Sequence, residues 1–215
     1  MNWATQTARS DAALTFCLAL IGILCSDVSD RAIAGPVTSP ALKTKLDKPL
    51  IVEAALRLLE EVGLDGLSTR ALAAALGVKG PSLYWHFQNM GELRDMMADA
   101  ILADALAAAD EGPADWRAWL AEGARTIRGA ALAHRDGARL IAGSRAGERR
   151  RARFTLRMAR LEREGFNAAD ARAAFVALSR YALGSALAEQ ATRPTPDVFE
   201  FGLKALIDGL DAQRR

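Results

Sequence analysis

The sequence predicts an all-α fold, in which a three-helix helix-turn-helix domain is joined by a linking helix to a larger helical domain. Alanine and leucine dominate the 215 residues, aromatic residues make up only 6%, and runs of β-branched residues are rare. This mixture favours helices over strands. From Leu46 onward, apolar residues recur at the three- and four-residue spacing of a single helix face, which is the main sequence signal of an amphipathic helix.

The first 44 residues do not follow this pattern. Residues 12–25 form an apolar run without charge, shorter than the roughly 20 residues that span a bilayer. Its length suits the apolar part of a signal peptide, but only one basic residue, Arg9, precedes it. We expect residues 1–44 to be an N-terminal extension outside the functional protein, either disordered or following a mis-assigned start. Export of the chain is the alternative.

The first predicted helix begins after Asp47, whose carboxylate suits an N-cap, and has Pro49 in its first turn, where the missing N–H costs little. One face carries its apolar residues: Ile51, Ala54, Ala55, Leu58, Leu59 and Val62. We expect Gly63 to end this helix, because glycine readily adopts the left-handed conformation found after many helices.

Two short helices follow, and their spacing is that of a helix-turn-helix between Ser68 and Phe87. Ser68 or Thr69 caps the first of them, and Gly77 closes it. Its inward residues are expected to be Leu72, Ala75 and Leu76. Pro81 is expected to open the second, which would run through Phe87 with Leu83 and Phe87 in the core. Spacing alone leaves open a plain helical bundle that binds no DNA.

A fourth helix is expected from Asn89, with Glu92 in the capping-box position, to about Ala109. It would link residues 45–92, the helix-turn-helix domain, to residues 93–213, the second domain. The remaining helices are predicted near 115–133, 137–143, 147–164, 168–191 and 196–213.

Few residues suit chemistry at a metal or a reacting bond. Both cysteines lie within the first 25 residues, and the two histidines, His86 and His134, have no second ligand at metal-binding spacing. No nucleophile–base pair or paired carboxylates stand at a plausible spacing. We therefore expect no metal, no cofactor and no enzymatic activity. The net charge of +2 is too small to indicate a nucleic-acid partner by itself.

One long segment identifies a family by resemblance. Residues 66–87 read GLSTRALAAALGVKGPSLYWHF, and the whole stretch from Leu46 to Leu93 resembles the DNA-binding domain of the tetracycline repressor (TetR) family. Residues 133–139, 143–145 and 164–166 are similar to the ligand-binding domain of the tetracycline-repressor branch. The resemblance implies a cytoplasmic, homodimeric repressor that binds a double-stranded palindromic operator, makes no membrane contact, and is released by a small-molecule effector.

The resemblance also assigns contacts to DNA, through base edges in the major groove and through phosphates. The residues implied are Thr69, Arg70, Lys79, Gly80, Pro81, Ser82, Tyr84, Trp85 and His86. Trp85 is also a candidate for a partly buried core position. Two positions depart from the family pattern. Met90 replaces a phosphate-binding lysine, and Gly80 replaces a residue that reads a base in the tetracycline repressor.

The second domain is expected to hold an aromatic or lipophilic effector. By resemblance its lining residues are Trp119, Ile127, Ile141, Arg145, Phe154, Arg157, Met158 and Phe175. Arg145 and Arg157 are candidates to hold an anionic group, with solvated arginines as the alternative. The arginines at 149–153 are expected to form a solvated helix start. Ile141 stands where the resemblance places a histidine for magnesium–tetracycline, so we expect that mode of binding to be lost.

Two apolar stripes are expected to form the dimer seam, and burial in the core of a single chain is the alternative. The first stripe comprises Ala174, Leu178, Tyr181, Ala182, Ser185 and Ala186. The second comprises Phe199, Leu203, Ile207 and Leu210. The rival to a repressor is an exported or cytoplasmic small-molecule-binding helical protein without DNA binding.

Overall fold

The computed structural model describes residues 46–110, 112–192 and 196–214, so the predicted N-terminal extension lies outside the described residues. All regular structure within those ranges is helical. The helices are α1 (Lys48–Gly66), α2 (Thr69–Leu76), α3 (Gly80–Leu83), α4 (Met90–Asp110), α5 (Trp116–Leu132), α6 (Gly137–Ala142), α7 (Glu148–Arg163), α8 (Ala168–Ala191) and α9 (Pro196–Arg214). None of these helices combines the length and apolarity needed to cross a membrane.

Helix α1 begins as the sequence predicts. The Asp47 carboxylate accepts a hydrogen bond of 2.9 Å from the Leu50 N–H. Gly63 has a positive φ of 71°, but its ψ of 176° is not that of the left-handed glycine expected after a helix, and it kinks the helix, which runs on to Gly66. Val62, which was expected on the buried face, is 40% exposed.

Helices α2 and α3 form the helix-turn-helix. The Ser68 hydroxyl accepts a 3.2 Å bond from the Ala71 N–H, and Gly77 (φ 65°) ends α2 in the left-handed conformation. Ala73 is buried, whereas Ala75, which was expected inward, is exposed. Helix α3 spans only four residues and ends at Leu83 rather than at Phe87. The chain continues through a turn that still buries Leu83 and Phe87.

Helix α4 links the first three helices to the rest of the chain. Asn89 accepts a 3.0 Å bond from the Glu92 N–H, so the predicted cap is confirmed. Leu93 and Met97 are fully buried in this helix, and Leu106 near its end is also buried. Its C-terminal end is tied to α5, because the Trp119 indole N–H donates a 3.1 Å hydrogen bond to the Ala109 carbonyl.

The core of the second half lies where α5 packs on α8, with α4, α6 and α9 around them. Both predicted stripes of α8 and α9 contribute to this core instead of remaining on the surface. Ala182 and Ala186 are fully buried within the chain, and Phe199 and Leu203 are nearly so. Most of both stripes is therefore buried within the single chain, the alternative that the sequence left open, because α5 covers that face of α8.

Gly202 sets how closely α8 and α9 approach. Tyr181 of α8 stacks on Phe199 at 5.4 Å between ring centroids, and its hydroxyl donates a 3.0 Å bond to the Phe199 carbonyl. A Cβ added at Gly202 would collide with that hydroxyl. A side chain at this position would therefore force the two helices apart.

We expect Gly202→Ala to lower the free energy of unfolding by about 1–3 kcal/mol, the usual range for an overpacked core. Gly129→Ala is the matched control, since Gly129 lies in α5 with open space around it. Because alanine is the better helix former, the control should raise stability by up to about 1 kcal/mol. Urea unfolding of both variants tests this, and equal stability of the two would contradict it.

Candidate functional site

The surface of the helix-turn-helix presents the side chains that the sequence assigned to DNA. None of those nine residues is buried. Trp85 is 89% exposed and Tyr84 is 55% exposed, while Leu83 and Phe87 beside them are at most 2% exposed. The turn after α3 therefore divides its residues between core and solvent. Trp85 lies on the solvent side, so the alternative of a partly buried core position is wrong.

Gly80 and Met90, the two positions expected to depart from the family pattern, have different surroundings. A Cβ added at Gly80 would meet nothing within 4 Å, so the start of α3 is open toward solvent. Met90 is partly buried, and its sulfur accepts a 3.4 Å hydrogen bond from the Thr69 hydroxyl. Met90 thus joins the start of α4 to the start of α2 instead of offering a charge to a phosphate.

A polar clamp joins the end of α1 to the turn between α5 and α6. The Asp136 carboxylate accepts a 2.8 Å bond from the Leu64 N–H, which becomes available where Gly63 kinks α1. The Arg135 guanidinium donates a 2.8 Å bond to the Glu61 carbonyl. We call the contacts of residues 60–65 with residues 134–139 the α1 clamp.

Two further pairs belong to the α1 clamp. His134 Nδ1 lies 2.9 Å from the Glu60 carboxylate, and Arg139 lies 2.9 Å from Asp65. Hydrogen bonding and charge attraction from Arg139 hold the pKa of Asp65 below its usual value. A carboxylate with a lowered pKa adds stability at neutral pH and loses it only in acid, as the pH falls through its folded-state pKa. Since Asp65 is exposed, this pair contributes little by itself.

A second connection runs from α4 to the loop between α6 and α7. The Asp95 carboxylate accepts a 2.7 Å bond from the Arg145 N–H, and Asp99 accepts a 3.3 Å bond from the Gly147 N–H. Asp99 also pairs with the Arg150 guanidinium at 2.5 Å. We call these contacts the α4 latch. They hold α4 against the rim of a large cavity.

The cavity has a volume of about 680 Å³ and lies among α4 to α8. Its apolar wall is formed by Leu102, Leu106, Ile127, Ile141, Phe154, Phe175, Val176 and Leu183. Its polar lining comprises Ser144, Thr155, Ser179, Arg150, Arg151, Arg153, Arg157 and Arg172. Phe154 and Phe175 meet edge to face at 5.3 Å. This size and mixed lining suit a small organic molecule.

Five of the eight residues expected to line an effector site lie on this cavity: Ile127, Ile141, Phe154, Arg157 and Phe175. The other three lie elsewhere. Trp119 is buried with its N–H bonded to the Ala109 carbonyl, Met158 packs against the core, and Arg145 has an exposed side chain.

The arginines at the start of α7 were expected to be solvated, but three of them line the cavity. Arg150 is held by Asp99, Arg151 donates a 2.6 Å bond to the Ala146 carbonyl, and Arg153 donates a 2.7 Å bond to the Ala103 carbonyl. Arg172 of α8 lies on the same cavity and was missed entirely, because it sits between alanines on an ordinary helical pattern.

Oxygen and nitrogen ligands for a metal are not gathered anywhere in the described part of the chain. No three residues among His, Cys, Asp and Glu come together there in a way that could hold an ion. Among the described residues that line the cavity, the charged ones are all arginines.

Comparison with known proteins places this architecture in a family. Residues 51–97 match the model of bacterial regulatory proteins of the tetR family, and residues 108–197 match the tetracyclin repressor-like C-terminal domain. The tetracycline repressor protein class A from transposon 1721 of Escherichia coli is 45% identical over 152 residues, which is 69% of each chain. The chain belongs to the TetR family. It is a DNA-binding, ligand-responsive transcriptional repressor, with the helix-turn-helix in α2 and α3.

Solved TetR-family structures share the fold over nearly their full length. TetR of Acinetobacter baumannii AYE in complex with minocycline, in a single-residue variant, has a TM-score of 0.74 and 43% identity, covering 80% of this chain and 99% of that one. BioQ with its double-stranded DNA operator has a TM-score of 0.62 and 36% identity, covering 78% and 99%. The two structures represent a ligand-bound and a DNA-bound member of the family.

We expect Asp136→Ala to lower the free energy of unfolding by about 1–3 kcal/mol. It removes the acceptor of the Leu64 N–H and leaves alanine at a φ of 55°, which costs about 1 kcal/mol. Asp136→Asn is the control, because asparagine keeps an acceptor oxygen and tolerates this conformation. Denaturant unfolding measures both. An asparagine variant as unstable as the alanine variant would contradict this explanation, because asparagine keeps both the acceptor oxygen and the backbone conformation.

Proposed function

We propose that this repressor binds a palindromic operator as a homodimer in the cytoplasm and releases it when a small organic effector fills the cavity. The observation that carries the proposal concerns α4, which follows an exposed surface at Tyr84 and Trp85 and also lines the cavity. We call the exposed surface around Tyr84 and Trp85, where DNA would bind, the reading surface. The rival, a small-molecule-binding protein without DNA binding, is not favoured, because the helix-turn-helix itself matches the family model.

A homodimer is supported by the outer face of α8 and α9. Phe201 is 78% exposed and Val198 is 66% exposed, which is unusual for large apolar side chains. Beside them lies a groove of about 470 Å³ lined by small residues such as Ala177, Ala205 and Gly209. A second copy that uses the same face would bury both features, as a two-fold symmetric interface requires.

Coupling between effector and operator would run through the α4 latch. Ser144 and Arg150 both line the cavity, and Arg150 donates 3.2 Å bonds to the Ser144 hydroxyl while paired with Asp99. An effector that draws Arg150 toward itself changes the position of Asp99 on α4. Since α4 begins next to the helix-turn-helix, its shift changes the distance between the two reading surfaces of a dimer.

Magnesium–tetracycline is not the effector that we propose. A hard cation requires oxygen ligands or waters held by them. Among the described lining residues, the charged groups are guanidinium groups, which repel a cation. Ile141, where the family resemblance expects a histidine, is 5% exposed and contributes only apolar surface.

Selection from a random duplex library tests DNA binding and identifies the operator sequence in the same experiment. We expect the full chain to enrich a sequence with two-fold symmetry and half-sites about one helical turn apart. Trp85→Ala is expected to lose at least about tenfold in affinity for that sequence, because it removes a proposed contact to DNA. The variant should still fold, since the side chain is exposed and adds little to the fold. No enrichment, or enrichment of a sequence without symmetry, would contradict the proposal.

We expect Phe201→Glu to convert the dimer to a monomer and to abolish high-affinity operator binding. A carboxylate placed in a buried interface without a partner costs several kcal/mol. Leu156→Glu is the matched control, since Leu156 is a similarly exposed apolar residue (71%) on α7 and does not line the groove of the proposed interface. Sedimentation equilibrium distinguishes them. A dimeric Phe201→Glu variant would place the interface elsewhere.

A further inference from the structure

We infer that the effector of this repressor is an organic anion, in which a carboxylate, sulfonate or phenolate is attached to an apolar body. The inference rests on the proposed function in one respect, namely that the cavity is the effector site. It adds the charge of the effector and the arginines that recognise it. The observation behind it is the lining of the cavity, where five guanidinium groups accompany one apolar wall.

The guanidinium groups form two levels. Arg157 lies deep in the fold at 5% exposure, with its guanidinium 5.5 Å from the Phe175 ring and within 3.4 Å of the Leu106 carbonyl. Arg151 and Arg172 are exposed at the rim. Arg172 lies 5.7 Å from the Phe154 ring. An anion entering past Phe154 and Phe175 would therefore meet guanidinium groups at the rim first and again at depth.

Carboxylates are absent from the described residues that line the cavity. Asp99 pairs with Arg150 from outside that lining. The hydroxyls that line the cavity donate their protons to backbone carbonyls: Ser144 to Ile141, Ser179 to Phe175 and Thr155 to Arg151. A guanidinium carries five N–H donors, so Arg151 and Arg172 at the rim keep donors for a ligand. Such groups bind carboxylates and related oxyanions in a bidentate geometry.

The opposite wall selects the body of the anion. Ile127, Ile141 and Val176 present aliphatic surface, and the edge-to-face pair of Phe154 and Phe175 offers ring faces. A small inorganic anion would leave this wall in contact with water, while an uncharged hydrocarbon would bring no acceptor to the arginines. An aromatic or aliphatic anion satisfies both walls, because its charged end and its apolar body lie against different sides of the cavity.

A pair of fluorescent probes tests the inference. Anilinonaphthalene sulfonate carries an anionic group, and phenylnaphthylamine has the same ring system without it. We expect the full chain to bind the sulfonate at least about tenfold more tightly, the effect of one hydrogen bond to a charged group. The double variant Arg151→Gln/Arg172→Gln should lose that preference and still bind the neutral probe.

The matched control is Arg149→Gln/Arg163→Gln, which removes the same charge from exposed positions on α7 that do not line the cavity. It should keep the preference, and circular dichroism should show equal folding of both double variants. Val176→Trp fills the cavity and should weaken both probes. Equal binding of the two probes, an equal loss in the control, or unchanged binding to Val176→Trp would each overturn the inference.

Failure of the inference is distinguishable from failure of the proposed function. Library selection is performed without a probe. If the chain selects a symmetric duplex but does not discriminate between the probes, the anionic effector is wrong and the DNA-binding role stands. If it discriminates between the probes but selects no DNA, the cavity assignment stands and the repressor proposal is wrong.

Discussion

The connection between the linking helix α4 and the cavity rim depends on the position of Asp99. Its carboxylate is held between the Gly147 N–H and the Arg150 guanidinium, so one side chain of the linking helix touches both the loop after α6 and the rim of the cavity. The approach is so close that a Cβ at Gly147 would collide with this carboxylate. A side chain at Gly147 would therefore displace the carboxylate from this position. Without the Asp99 carboxylate, the α4 latch would consist only of the 2.7 Å bond from the Arg145 N–H to Asp95.

Two connections hold the helix-turn-helix against the rest of the chain, and they differ in kind. The α1 clamp consists of hydrogen bonds and ion pairs around the turn that contains Asp136, and none of its residues lines the cavity. The α4 latch touches it directly. Under the proposed function, a ligand in the cavity would act on the α4 latch and leave the α1 clamp as a pivot. Rotation about a fixed point by a rigid helix converts a small local shift into a larger displacement at the reading surface.

Local signals allowed much of this fold to be predicted from the sequence. Asp47, Ser68 and Asn89 cap helices where they were expected to, because capping depends on neighbouring atoms only. The exposed set around Tyr84 and Trp85 also follows from local pattern and family resemblance. The sequence could not show whether an apolar stripe is covered by the same chain or by a second copy of it. Periodicity finds the buried face of α8, but the same pattern serves a core and a dimer seam.

The arginines show a second limit. A long side chain at a helix surface either extends into solvent or folds over an apolar wall, and its position in the sequence is the same in both cases. Arg151 and Arg172 line the cavity only because α7 and α8 approach each other, a fact of tertiary packing. Gly63 is similar: a helix end with a left-handed glycine was predicted, but the helix kinks there and the Leu64 N–H is accepted by Asp136, which lies far away in the sequence.

Thermodynamic linkage tests the central claim most directly, namely that the cavity and the reading surface are coupled through α4. The measurement is the dissociation constant of anilinonaphthalene sulfonate for the full chain, with and without the selected operator duplex, and with a scrambled duplex as control. Since coupling is reciprocal, the operator should weaken probe binding at least about fivefold, and Asp99→Asn should reduce that effect. Equal affinity with and without operator would contradict the account.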